Sequence, residues 1–132
     1  MNGNLRLPVI ALLVVWLSAC GVGGGYFLSP QQWGETQFVV EVRPGPPVKG
    51  MNEFVIIATD VNGTPGYQYV ISIKTDSGGR WRQMIQDGHS GVYRRAIPVS
   101  DPSNGVLSVE IKHQKEKAKQ TILTFPLSKT SQ

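Results

Sequence analysis

Cys20 has the clearest chemistry in this chain, because it is the only cysteine among 132 residues and a thiolate is a strong nucleophile. It follows an apolar run over 7–17 and a pair of small residues at 18–19, and Arg6 precedes the run. A charged start, a short apolar helix and a small-residue end form a secretory signal peptide. The run is shorter than the roughly 20 residues that a spanning helix needs. We therefore predict that residues 1–19 are a signal peptide.

Leu17-Ser18-Ala19-Cys20 resembles the bacterial lipobox. The resemblance implies that the thiol of Cys20 carries a diacylglycerol, that the signal is cleaved before it, and that the new amine is acylated. Gly21 stands where Asp would favour retention at the inner membrane, so the resemblance implies an outer-membrane lipoprotein facing the periplasm. The alternative is an ordinary secreted protein with a chance cysteine. One cysteine cannot form an intramolecular disulfide, which favours the lipid anchor.

Met84 and His89 could together bind a metal, since thioether and imidazole suit Cu(I). His113 and Met51 are further candidates elsewhere in the chain. A copper site needs three or four converging ligands, and only two lie within five residues. The alternative is that Met84 fills the core and that His89 belongs to a turn. We therefore expect no cofactor and keep copper as the alternative.

A basic, aromatic patch is predicted from Arg80, Trp81, Arg82, Tyr93 and Arg94. If their two strands pair across the intervening turn, these residues would share an outer surface. Arg, Trp and Tyr are the residue types that dominate binding hot spots. The patch could dock a protein partner or an acidic glycan. The alternative is an ordinary solvated face in which arginine stems cover a tryptophan.

No enzyme is predicted from this sequence. Asp87, His89 and Ser90 lie in one turn and cannot adopt the geometry of a catalytic triad, and no G-x-S-x-G motif exists. The formal net charge of +4 is mild and too diffuse to indicate nucleic-acid binding. Cleavage before Cys20 would leave a chain of about 110 residues, the size of one small domain.

Alternating apolar residues and turn signals predict a single all-β domain over 36–127. The glycine-rich stretch that follows Cys20 predicts a flexible tether over 20–35, with 26–35 irregular, and residues 128–132 form a tail. The strand at 52–59 is apolar on both alternations, which is typical of a strand covered on both faces. About seven short strands favour an immunoglobulin-like antiparallel β-sandwich. They are expected at 37–42, 52–59, 67–74, 80–86, 92–99, 106–113 and 121–127.

Three stretches within residues 35–127 resemble the YtkA-like and FixH-like domains. The first is Pro47 to Ile56 with Asp60 to Pro65, which matches a P-x-x-G-x-N-x-F entry strand and a D-x-x-G-x-P turn. The others are 88–94 and 105–111, although Leu107 replaces the usual aromatic residue of the last one. The resemblance implies an exported or membrane-tethered β-sandwich. Some members are associated with copper handling or with respiratory oxidase assembly.

Together these features predict a membrane-anchored periplasmic lipoprotein that acts as a non-enzymatic interaction or assembly module. Its expected partners are the membrane, through the lipid on Cys20, and an unidentified envelope protein. The alternative function is a copper-binding, metallochaperone-like domain for respiratory or metal homeostasis. That domain would use Met84, His89 and His113.

Overall fold

The computed structural model describes Gly3 and residues 25–76 and 79–129. The predicted signal peptide, the lipidated Cys20 and the start of the tether therefore lie outside the described residues. Within the described part the chain is all-β, and no helix there is long and apolar enough to cross a membrane. Ten strands form two antiparallel sheets. They are β1 (Tyr26–Phe27), β2 (Gln31–Trp33), β3 (Thr36–Arg43), β4 (Gly50–Asp60), β5 (Tyr69–Thr75), β6 (Arg82–Gln83), β7 (Ile85–Gln86), β8 (Val92–Val99), β9 (Val106–His113) and β10 (Gln120–Pro126).

The first sheet has the strand order β1-β3-β4-β8-β7, and β2 pairs with β3 on the same side as β1. Its central strand, β4, pairs with β3 and with β8 over eight residues each. Ile56 stands opposite Val40 on one side and opposite Tyr93 on the other, and all three side chains are buried. The strict alternation of β3 is what turns one row of apolar side chains inward.

The second sheet has the strand order β10-β9-β5-β6. Strand β9 has the bounds that its alternation predicts, and its inward residues Leu107, Val109 and Ile111 are fully buried as expected. Ile71 of β5 stands opposite Ile111. The inward faces of both sheets contribute to one hydrophobic core, and burial of each large apolar side chain contributes about 2 kcal/mol.

Residues 26–35, predicted to be irregular, instead form β1 and β2 along the edge of the first sheet. The backbone N–H of Leu28 donates to the carbonyl of Val40 at 2.9 Å. Gly34, with φ of 61°, makes the tight turn into β3. Pairing with a strand that follows stabilises these short segments, so their own composition does not reveal them. The described strands of the first sheet therefore begin at Tyr26, ahead of the strand expected from residue 37.

The segment predicted as one strand over 80–86 divides between the two sheets. Strand β6 pairs with β5 in the second sheet, whereas β7 pairs with β8 in the first. Met84 lies at the crossing point, and its N–H donates to the carbonyl of Ile71 at 2.8 Å. Its side chain is only 4% exposed and belongs to the core. This switch and the short edge strands give ten strands where about seven were expected.

Candidate functional site

The residues of the predicted basic patch are distributed over three environments. Tyr93 is 1% exposed, and its hydroxyl donates to the carbonyl of Gly66 at 2.9 Å. Its side chain therefore lies in the core and not on the predicted surface, because β8 turns alternate residues to opposite faces. Burial raises the pKa of Tyr93 to about 12. Arg94, its neighbour, points outward from the first sheet and contacts Glu53, with Nη1 and Oε1 3.9 Å apart.

The remaining patch residues lie at the edge of the second sheet. Arg82 is exposed on β6, and Arg80 is exposed just before it. Lys74 of β5 places its Nζ 4.7 Å from the ring centroid of Trp81, a cation–π contact. The crossing at Met84 thus separates the Arg80–Arg82 group from Arg94. The structure brings Trp81 together with Lys74, a neighbour that sequence spacing did not indicate.

The candidate copper ligands also lie in separate surroundings. Met84 is in the core, whereas His89 is exposed in the turn before β8, with its ring 4.7 Å from that of Tyr67. His113 accepts hydrogen bonds at Nδ1 from the backbone N–H groups of Lys115 (3.3 Å) and Glu116 (3.1 Å). Only Nε2 of that imidazole is then left for a ligand. Among the described residues, no three His, Cys, Asp or Glu side chains converge on a metal-sized site. Copper binding stays a prediction.

A cluster of aromatic rings that sequence reasoning missed lies at the end of the domain where β2 turns into β3. The ring centroids of Trp33 and Tyr69 are 6.1 Å apart, and those of Tyr69 and His113 are 5.9 Å apart. The Tyr69 hydroxyl and the Thr36 Oγ1 are 2.7 Å apart. These residues line an open cavity of about 500 Å³, together with Gln68 and Lys119. The residues come from four separate segments, so no local motif could reveal this cluster.

The aromatic cluster and the first described strand, β1, lie at opposite ends of β3. Tyr26 pairs with Val42 near one end of β3, and Trp33 pairs with Thr36 at the other end. The stretch of β3 between these pairs is about 20 Å long at roughly 3.4 Å per residue. Any tether that precedes Tyr26 therefore joins the domain far from the cluster.

The outward side of the first sheet, which we call the outer A face, carries mostly apolar side chains. Val39, Ile57 and Val92 stand side by side across three strands. The next row contains Val55, flanked at the sheet edges by Phe27 and Ile85, which are 41% and 68% exposed. No described strand packs over this face.

Charged side chains on the outer A face pair with one another. Arg43 Nε lies 2.9 Å from Glu41 Oε1, and Arg43 Nη1 lies 3.6 Å from Glu53 Oε1. The hydrogen bond from Arg43 to Glu41 raises the pKa of the guanidinium above its ordinary value. Arg94 reaches the same oxygen of Glu53. Val55 stands between Glu41 and Arg94 in the register of the sheet, and it is only 2% exposed.

The outward side of the second sheet, the outer B face, is mainly polar. Polar and charged residues occupy most outward positions of its four strands, for example Ser72, Ser108, Glu110 and Lys112. Glu110 and Lys112 form an ion pair at 3.2 Å. Ile122 on the edge strand is the exposed exception, at 56%. This face has the composition of an ordinary solvated surface.

Several residues behind the family resemblance have structural roles. The Asn52 side chain accepts from the N–H of Val48 at 2.9 Å and donates to the carbonyls of Val48 and Gly50. Gly91 has φ of 74°, and a Cβ there would lie 2.6 Å from the carbonyl oxygen of Ala58. Asn52 stabilises the turn that leads into β4, and Gly91 allows the close approach of the backbone before β8 to β4. They do not form a ligand site.

No family model matches the chain, and neither does any curated protein or any solved structure. The function has to be inferred from the surfaces and clusters described above.

Proposed function

We propose that this chain is a lipoprotein of the bacterial outer membrane, anchored through Cys20, whose domain is a non-enzymatic interaction module in the periplasm. The placement of the aromatic cluster at the end of the domain opposite Tyr26 supports this proposal most directly. An anchor before Tyr26 would direct Trp33 and His113 away from the membrane. Aromatic rings with polar neighbours in an open cavity are typical of binding surfaces.

The strand order supports the proposal of an immunoglobulin-like β-sandwich. In immunoglobulin constant-type domains one sheet has the strand order A-B-E-D, and the other contains C, F and G. Here β3, β4, β8 and β7 would correspond to the first set, and β5, β9 and β10 to the second. Kinship with YtkA-like and FixH-like domains remains part of the proposal, on the sequence stretches already described.

A non-enzymatic role is supported by the hydrogen bonding of the one turn that contains serine, histidine and aspartate. Ser90 donates its hydroxyl to the backbone carbonyl of Asp87 at 2.6 Å. The imidazole of His89 packs against Tyr67 instead of contacting that hydroxyl. Nucleophilic catalysis needs a hydroxyl hydrogen-bonded to a base. In this turn the serine hydroxyl stabilises the turn itself, and the imidazole contacts a residue outside it.

Lipid anchoring is tested by metabolic labelling with an acyl-chain precursor such as radioactive palmitate. Cys20→Ala should abolish the label and release the domain from the membrane fraction, because alanine has no thiol to acylate. The matched control adds Ser128→Cys to Cys20→Ala, which restores a thiol at an exposed position outside the lipobox and should not restore the label. Persistent label in Cys20→Ala would refute the anchor.

The orientation of the domain is tested with a photo-crosslinking amino acid placed at Trp33 or, as a matched control, at Trp81. Both are partly buried tryptophans, and only Trp33 belongs to the aromatic cluster. In intact cells, position 33 should give a crosslinked product of defined mass that position 81 does not give. Equal products from both positions would contradict a specific binding role for the cluster.

A further inference from the structure

The outer A face has the pattern of a surface that is covered by protein. Strand β4 is apolar on both alternations, and such strands are normally covered on both faces. The second sheet covers its inward face, and no described strand packs over the outward face, where Val55 is 2% exposed and Ile57 is half-buried. Phe27 and Ile85 are exposed at the two edges of the sheet, each next to a charged residue, Glu41 or Arg94. The contiguous apolar part of the face is the row of Val39, Ile57 and Val92, and apolar areas mark interaction sites on soluble domains.

The charged residues of the outer A face are suited to burial in an interface. Glu41, Arg43, Glu53 and Arg94 already pair with one another. A partner that covers them would therefore leave no charge without a counterion. None of the outward positions on the six described strands of this face is a lysine, although lysines occur on the outer B face. Lysine is depleted and arginine enriched at protein interfaces.

We propose that the outer A face binds the same face of a second copy of this chain, related by a two-fold axis. A two-fold interface must be self-complementary. Two glutamates and two arginines give this face no net charge, so it does not repel its own copy. The formal excess of +4 on the chain lies elsewhere, and contact through those basic surfaces would bring like charges together.

The area of the face predicts a weak dimer that anchoring would strengthen. Strand spacing of about 4.8 Å and a rise of about 3.4 Å per residue give a face of roughly 20 Å by 20 Å. That is about 400 Å² per copy, against about 800 Å² in a typical stable complex. Two copies anchored in one membrane have a high effective concentration, which offsets a small interface. This last step rests on the proposed lipid anchor, whereas the interface itself does not.

The test is cysteine crosslinking of the full chain in the cell envelope. Ile57 lies in the apolar row next to the central, buried Val55. Ile57→Cys in two facing copies should therefore react with a short bismaleimide and give a product of twice the chain mass. Ile122→Cys places the same residue on the outer B face as the matched control. The natural chain contains only Cys20, so the chain without either substitution gives the background level of crosslinking.

The expected result is a dimer product for Ile57→Cys that exceeds the Ile122→Cys product at least tenfold. Adding Ile85→Lys to the Ile57→Cys chain should reduce the dimer product severalfold, whereas adding Ile122→Lys should leave it unchanged. Equal products from positions 57 and 122 would overturn the proposal, as would a product of another mass, which would identify a different protein on this face. Repeating the test with Cys20→Ala separates the two proposals. A product that persists there supports the interface even if no lipid is attached.

Discussion

The outer faces of the two sheets are built on the same strand geometry and differ in composition. The outer A face places Val39, Ile57 and Val92 in one row and pairs its charges across neighbouring strands. The outer B face places serine, lysine and glutamate at the matching positions. Both are antiparallel sheets with one face in the core, for which the expected outward side is polar. Only the outer B face follows that rule.

The difference shows that outward position and solvent exposure are separate properties in this domain. Val55 points away from the core and is still 2% exposed, because neighbouring side chains lie around it. Ser72, at an outward position on β5, is half-buried and polar. Val55 is thus already dehydrated within one chain, so a second copy would gain apolar burial mainly from half-buried Ile57 and from exposed Phe27 and Ile85.

The largest expected effect comes from placing a charge at the centre of each face. Val55→Asp should lower the free energy of unfolding by about 3 kcal/mol, because a carboxylate at this 2% exposed position would be dehydrated and repelled by Glu41. Arg94 stands on its other side but is already paired with Glu53, so it offsets only part of that cost. Ser108→Asp on the outer B face should change it by less than about 0.5 kcal/mol, because Ser108 stands opposite Lys74 and Thr124 and not opposite another carboxylate. Urea unfolding followed by fluorescence measures both, and the slope with urea should stay unchanged. Similar costs for the two substitutions would show that the faces do not differ in solvation.

The sequence pattern predicted the long strands, in which apolar side chains recur along the whole element. The bounds of β9 match the expected range, and β3, β4 and β10 differ by only a few residues at their ends. A period of two identifies such strands because one face is buried along the whole element. Apolar residues on both alternations of β4 predicted cover on both faces, but among the described residues only the inward face has a second layer, even though Val55 is 2% exposed.

The elements that sequence reasoning missed depend on contacts between distant segments. Strands β1 and β2 have two and three residues, and they exist because β3 offers a free edge. The change from one sheet to the other at Met84 also has no signal in the local sequence, because Trp81, Gln83 and Ile85 alternate as in a single strand. The aromatic cluster combines Trp33, Tyr69 and His113 from three strands. Only the pairing of these strands brings the rings together.

A smaller effect is expected from Tyr93, which lies on the inward side of β8 next to Arg94 on the outer A face. Tyr93→Phe removes the donor to the Gly66 carbonyl and should cost about 1 kcal/mol. Burial raises the pKa of Tyr93 to about 12, above the value of about 10 for an exposed tyrosine. The folded state therefore retains this proton more strongly than the unfolded state. The resulting stabilisation is complete below about pH 10 and is lost as the pH rises toward 12.

Unfolding experiments at pH 8 and pH 11 test this assignment. The difference in stability between the natural chain and Tyr93→Phe should shrink at pH 11, because phenylalanine has no proton to lose. Tyr67→Phe is the matched control, since Tyr67 is 45% exposed, and its cost should be near zero at pH 8. A Tyr93→Phe cost that is the same at both pH values would contradict the burial of the hydroxyl.

The smallest expected effect is the difference in stability between removing an ion pair on the outer A face and removing one on the outer B face. Glu53→Ala should lower the free energy of unfolding by about 0.5–1 kcal/mol, because Glu53 contacts arginines on both strands that flank β4. Glu110→Ala breaks one ion pair within a single strand and should lower it by only a few tenths of a kcal/mol. High salt should reduce both costs. Glu53→Ala also leaves the outer A face with a net positive charge, so each copy would repel the other. The Ile57→Cys crosslink should therefore fall in Glu53→Ala and stay unchanged in Glu110→Ala, and equal effects would mean that charge pairing on this face does not serve association.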